Sequence, residues 1–205
     1  MSTWIFARHG ESDANLLHEF SNHGIKHGLT ELGKQQSRIL ADKLINHPIK
    51  AIYCSPLLRA QQTAQIIGER LQIIPQAAHA LIEFDTGNLE GKSDEKSWMV
   101  YQEIFQDWII NRNFDRQFDA GDSFYSIQSR FLPFIRSLQQ QYSKVDQAIL
   151  LVGHGGTFLC MLPIILKNID FEFATSHRLS NTGMVIVEEQ NGDFICRVWD
   201  GKVII

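Results

Sequence analysis

Two histidines stand at the ends of apolar runs with glycine beside them. Trp4-Ile5-Phe6-Ala7 leads into Arg8-His9-Gly10-Glu11, and Ala148-Ile149-Leu150-Leu151-Val152 leads into Gly153-His154-Gly155-Gly156. A neutral imidazole is a competent nucleophile near pH 7. The guanidinium of Arg8, next to His9, can bind phosphate oxygens through paired donors. Around His154 the glycines let the backbone approach a ligand, and a helix after them offers free N–H groups to an anion. Arg59 follows a third apolar run, Ala51-Ile52-Tyr53-Cys54, through Ser55-Pro56-Leu57-Leu58. If Ser55 caps a helix with Pro56 at its first position, Arg59 lies about one turn in and can fold back toward the strand end. Glu83 lies among Leu81, Ile82 and Phe84. Burial there favours a protonated carboxyl, as a general acid requires. Asp85 and Glu90 are competing carboxylates. Each motif is weak alone: Arg-His-Gly arises by chance in roughly one chain in fifty of this length at average residue usage.

The elements that would position these groups can be read from the same pattern. Trp4–Ala7, Ala51–Cys54 and Ala148–Val152 read as buried strands. Thr30 caps a helix running to about Asn46, with Leu32, Ile39, Leu40 and Leu44 at helical spacing. A second helix runs from Pro56 to about Leu71. Trp98, Tyr101, Ile104, Phe105 and Trp108 fit one helix, and Phe124, Ile127, Phe131, Phe134, Leu138 and Tyr142 line a long one. Gly183–Val187 and Phe194–Trp199 form a hairpin around Asn191-Gly192. Strands alternating with helices predict a three-layer α/β/α sandwich with a mostly parallel central sheet. Ligands bind beyond the carboxyl ends of such strands. Arg8-His9, Ser55–Arg59 and His154 all fall just past strand ends, so the topology brings them to one sheet edge.

Composition narrows the class. The 205 residues fit a single domain spanning 1–205, with 92–120 as a less regular lid or insert. Nineteen basic against twenty-three acidic residues, a formal net charge of -4, argue against nucleic acid as a partner. They leave room for an anionic substrate, because local charge can oppose the overall sign. Cys54, Cys160 and Cys196 form no CxxC pair, so neither a disulfide framework nor a zinc site is expected. The N-terminus lacks a basic region followed by an apolar stretch, and the run Thr157–Leu166, interrupted by Pro163, is too short to span a bilayer. The expectation is a soluble cytoplasmic protein without membrane contact, either monomeric or a homodimer.

Taken in order, the segments resemble the histidine phosphatase superfamily, or phosphoglycerate mutase-like family. The resemblance is carried by Arg8-His9-Gly10-Glu11-Ser12 with Asn15, Gly28-Leu29-Thr30-Glu31-Leu32-Gly33, Ser55-Pro56-Leu57-Leu58-Arg59-Ala60, Leu81-Ile82-Glu83 with Leu89-Glu90-Gly91, Gly121-Asp122-Ser123 with Arg130, and Val152-Gly153-His154-Gly155-Gly156. It spans nearly the whole chain. It implies a phosphoglycerate mutase-like fold and a phosphatase that acts on a small phosphorylated metabolite. His9 would carry the phosphoryl group covalently. Arg8, Arg59 and a cationic His154 would bind its oxygens, with Asn15 and Gly155 assisting. Glu83 would be the proton donor. No metal or other cofactor is implied. Asp122 stands where the family often has Glu, which puts a substrate contact from that position in doubt. Mutases of the family resemble longer chains with a basic, proline-rich insert; Lys92 to Ala120 has no proline and no Arg-Arg pair. A mutase, a phosphoprotein phosphatase and a non-catalytic phosphate-binding module stay as alternatives.

Overall fold

The structure is a computed structural model that describes residues 2–24, 26–142 and 147–204. Strand β1 (Ser2–Arg8) alternates its side chains: Trp4 and Phe6 join one apolar cluster, Ile5 and Ala7 the other. Such period-two sorting, with both faces apolar, is what a central strand requires. β2 (Ile49–Cys54) and β4 (Ala148–Gly153) sort the same way, Tyr53 and Leu151 to the first cluster and Ile52 and Leu150 to the second.

The sheet order is β3-β2-β4-β1-β5-β6-β7, with β3 at Gln76–Ala77, β5 at Met184–Gln190, β6 at Asp193–Trp199 and β7 at Lys202–Val203. β3, β2, β4 and β1 are parallel, as predicted; β5, β6 and β7 extend the sheet in antiparallel pairs. The β5–β6 turn has positive φ at both Asn191 (53°) and Gly192 (88°), the geometry that makes Asn-Gly a hairpin signal.

Helices cover both faces. α2 (Glu31–Leu44) and α3 (Leu58–Leu71) pack on the Ile5–Ile52–Leu150 face. α4 (Glu95–Ile109), α5 (Phe124–Tyr142) and α6 (Gly155–Ile165) cover the Trp4–Phe6–Leu151 face. Thr30 caps α2 as expected, its hydroxyl accepting from the Gly33 N–H at 3.0 Å. The short α1 (Asp13–Leu17) and α7 (Phe171–Ser176) are too brief to leave a periodic signal.

The start of α3 differs from expectation. The helix begins at Leu58 with extended Leu57 as its N-cap, so Ser55-Pro56 forms a turn before it. The Ser55 hydroxyl accepts from the Leu57 N–H at 3.2 Å and also meets His154, so it closes a local turn. Arg59 is therefore the second helical residue and nearer the strand end than one full turn. α4 divides its aromatics: Trp108 is fully buried in the core, whereas Trp98, Tyr101 and Phe105 reach a cavity at the sheet edge. No helix among the described residues is long and apolar enough to cross a membrane.

Candidate active site

His9 follows the last residue of β1. Its N–H donates to Gly153 O at 3.0 Å, continuing the β1–β4 ladder one step past Arg8. The next residue must be glycine: a Cβ at Gly10 would come within 2.5 Å of Gly33 O on α2. The Gly10 N–H donates to Thr63 Oγ1 on α3 at 3.1 Å. The loop is thus clamped between both helices of that face. The His9 ring is buried, and its Nδ1 lies 2.6 Å from Gly10 O. A carbonyl only accepts, so Nδ1 carries the proton and Nε2 keeps its lone pair. Nε2 accepts from Arg59 Nε at 3.1 Å. The geometry fixes the tautomer a nucleophile needs.

His154, the N-cap of α6, is fully buried, and its ring centroid is 5.1 Å from that of His9. Its Nε2 is 2.7 Å from Ser55 Oγ, and its buried Nδ1 has no hydrogen-bond partner. Arg8 donates from Nη1 to Leu179 O at 2.8 Å, leaving its buried Nε unpaired. A Cβ at Gly155 would meet that Nε at 3.3 Å, so the glycine lets the guanidinium lie against the start of α6.

Burial, followed by Arg59 and Arg8, holds His9 well below its ordinary value of 6.5. Burial, followed by Arg59 and then His9, does the same to His154. Burial lowers Arg8, and it pushes Arg59 down to about 10, which leaves Arg59 charged at neutral pH. Burial and the neighbouring guanidinium charge thus disfavour a protonated His154 in the ligand-free fold, whereas the cationic His154 expected from the sequence is that facing a bound phosphate.

Both histidines stay neutral in the fold at pH values where the unfolded chain protonates them. The unfolded state then binds more protons, so stability rises with pH in that window. Stability is complete above about pH 6.5 and declines as pH falls toward the depressed folded values. Each histidine contributes a slope of about 1.4 kcal/mol per pH unit. Urea unfolding from pH 7.5 to 5 should show this decline, and His154→Asn should flatten it by the share of one group.

Glu83 is half-buried, and polar groups surround its carboxyl instead of the apolar box expected. It accepts from the Gly156 N–H (3.0 Å), the Thr157 N–H (2.6 Å) and Thr157 Oγ1 (2.8 Å) at the start of α6. The helix N-terminus supplies the donors that Leu81, Ile82 and Phe84 cannot. The competing carboxylates are fasteners of nearby loops. Asp85 accepts from the Gly87 N–H at 2.7 Å and meets His23 Nε2 at 2.9 Å, while Glu90 accepts from the Asn22 N–H at 2.8 Å. Asp122 accepts from the Asp85 N–H, Arg130 Nη1 and Ser126 Oγ, so its short side chain is occupied within the fold.

Asn15 lines the cavity with Arg8, His9, Arg59, Glu83 and Gly155. Its Oδ1 accepts from the Ser12 N–H and Oγ and from Asn181 Nδ2, which leaves its NH2 as the free donor. The cavity measures about 240 Å³. Sequence reasoning missed the loop before β5. Asn181 Nδ2 donates to His9 O at 3.2 Å, and Arg178 lines the cavity with its guanidinium 5.9 Å from the Phe105 ring centroid. It also missed Thr157. Arg178 and Asn181 carry no motif and become visible only when β5 folds back along β1, while Thr157 reaches Glu83 from the first turn of α6.

A sequence profile of the histidine phosphatase superfamily (branch 1) matches residues 4–201. The chain is 29% identical over 150 residues to phosphoserine phosphatase 1 of Hydrogenobacter thermophilus, covering 73% of this chain and 69% of that one. It is 30% identical over 201 residues to the 2,3-bisphosphoglycerate-dependent phosphoglycerate mutase of Bartonella bacilliformis, covering 93% of each. In fold it is similar to a mycobacterial glucosyl-3-phosphoglycerate phosphatase solved with VO3, with a TM-score of 0.82 at 22% identity, over 98% of this chain and 99% of that one. The profile takes in every segment that delivers Arg8, His9, Arg59, Glu83 and His154, and the chain is accordingly an enzyme of the histidine phosphatase superfamily.

Proposed function

We propose that the protein hydrolyses phosphate monoesters of small metabolites through a phosphohistidine on His9, without a metal ion. One observation carries this reading. His9 is held with Nδ1–H on Gly10 O, so the unprotonated Nε2 points at the guanidinium of Arg59. In the first step Nε2 forms a bond to phosphorus as the ester P–O bond breaks, and Glu83 gives a proton to the leaving alkoxide. In the second, water attacks the phosphorus, Glu83 takes its proton, and the P–N bond breaks to release phosphate. A phosphate monoester carries roughly -1.5 to -2 charge near pH 7. Arg8 and Arg59 offset that charge, with Asn15 and the N–H of Gly155 as further donors, so the work is positioning and charge neutralisation.

Trp98, Tyr101 and Phe105 wall the cavity, which favours a compact leaving group and gives the 92–120 segment the role of a lid. The relative named phosphoserine phosphatase supports hydrolysis of a small metabolite. The relative named phosphoglycerate mutase supports the competing reading, in which the phosphoryl group passes to a second substrate. Absence of a basic, proline-rich insert in 92–120 favours water as acceptor.

The test is to quench turnover in alkali and map the modified residue by mass spectrometry. A phosphoryl group on His9, turnover unchanged by chelators, and free phosphate as product are expected. Label elsewhere, a requirement for divalent metal, or transfer to added phosphoglycerate in place of water would refute the proposal. Glu83→Gln should slow alkyl phosphates by about 10²-fold or more and aryl phosphates much less, because only a poor leaving group needs the proton. Equal slowing of both would remove Glu83 from that role.

A further inference from the structure

Ser55 stands one residue past β2, and its N–H donates to Val152 O at 2.9 Å, extending the β2–β4 ladder toward His154. The side chain is fully buried. Its hydroxyl meets two groups: it accepts from the Leu57 N–H, and it lies 2.7 Å from His154 Nε2. Two arrangements of protons fit that distance. If Nε2 carried the proton, the hydroxyl would accept twice, and its own hydrogen would have no acceptor among the described residues. The buried Nδ1 lone pair would also be left without a donor. If the hydroxyl donates to Nε2, every polar group of Ser55 is satisfied, and Nδ1–H becomes a free donor. The first arrangement leaves two buried polar groups unpaired, the Ser55 hydroxyl hydrogen and the Nδ1 lone pair, and the second leaves one, Nδ1–H; at about 1–3 kcal/mol for each unpaired buried group, the second is favoured.

We propose that Ser55 is a positioning residue that holds His154 in the Nδ1–H tautomer, so that this imidazole offers a neutral hydrogen-bond donor to the phosphoryl group. The inference rests on the hydrolase reading for its substrate and adds a device to it. The imidazole binds anionic oxygen without carrying a charge of its own. The orienting partner of a functional histidine commonly matters by about 10- to 100-fold.

The experiment is 15N NMR of histidine-labelled wild-type protein, with His154 assigned by comparison with His154→Asn. His154 should appear protonated at Nδ1 and unprotonated at Nε2, and the Nδ1 signal should move when vanadate is added. A His154 protonated at Nε2, or an Nδ1 signal indifferent to vanadate, overturns the proposal. Ser55→Ala should scramble the tautomer, lower kcat about 10- to 100-fold and weaken vanadate inhibition. Ser55→Thr, which keeps the hydroxyl, should restore the Nδ1–H form. An unchanged tautomer and kcat in Ser55→Ala would refute the role. Loss of the His9 phosphoenzyme with the Nδ1–H tautomer intact would count against the hydrolase reading instead.

Discussion

His9→Ala should lower turnover of an aryl phosphate by at least about 10³-fold. An aryl phosphate is the severe test, because its good leaving group reduces dependence on the proton donor and isolates the nucleophile. The ring makes two hydrogen bonds, to Gly10 O and from Arg59 Nε, while the backbone of the loop is held separately by Gly153 O and Thr63 Oγ1. The variant should therefore keep its far-UV spectrum and bind vanadate or phosphate through the guanidiniums. Binding retained with turnover lost identifies covalent chemistry at residue 9. Turnover retained removes His9 from the mechanism.

Arg59→Met should cost about 10³- to 10⁵-fold in kcat/KM, the range associated with a cation acting on a transferring phosphoryl group. The substitution also changes His9 itself. Arg59 is, after burial, the largest influence keeping that imidazole neutral. Without its charge the protonated ring is less disfavoured, so the basicity of His9 rises. The acid limb of kcat/KM should move toward neutral pH in the variant. Arg59→Lys should hold the acid limb nearer the wild-type position, since it keeps the charge. It should recover little of the rate, because a single ammonium cannot reproduce the planar fork. A pH profile identical in all three proteins would show that Arg59 acts only on the substrate.

The parts of this architecture that sequence reasoning reached are those governed by local rules. The central strands announce themselves as apolar runs buried on both faces, and Thr30, Asn191 and Gly192 behave as their chemistry dictates. His9 and His154 are legible because each directly follows a strand, with Arg8 as the last residue of β1 and Arg59 in the first turn of the helix after β2. Two local expectations failed for tertiary reasons. Ser55 was read as a helix cap, but its hydroxyl closes a turn against Leu57 and meets a histidine nearly a hundred residues away. Glu83 was read as desolvated by Leu81, Ile82 and Phe84, but α6 arrives with its unpaired N–H groups and surrounds the carboxyl with donors. Asn181 and Arg178 escaped altogether, because the antiparallel return of β5 along β1 brings them in, and nothing adjacent in sequence marks it.

The hydrogen bond from the His9 N–H to Gly153 O has a consequence for how the enzyme fails under stress. Because the strands bearing the two imidazoles are immediate partners in register, the gap between the rings is a lattice spacing of the sheet, about 4.8 Å between neighbouring backbones. Loop settling does not set it. A site ruled off by the innermost ladder can be disordered only by opening that ladder, which is the last part of such a fold to exchange its amide protons. Heat inactivation and melting should then be a single event, with no warm, folded and idle form between them.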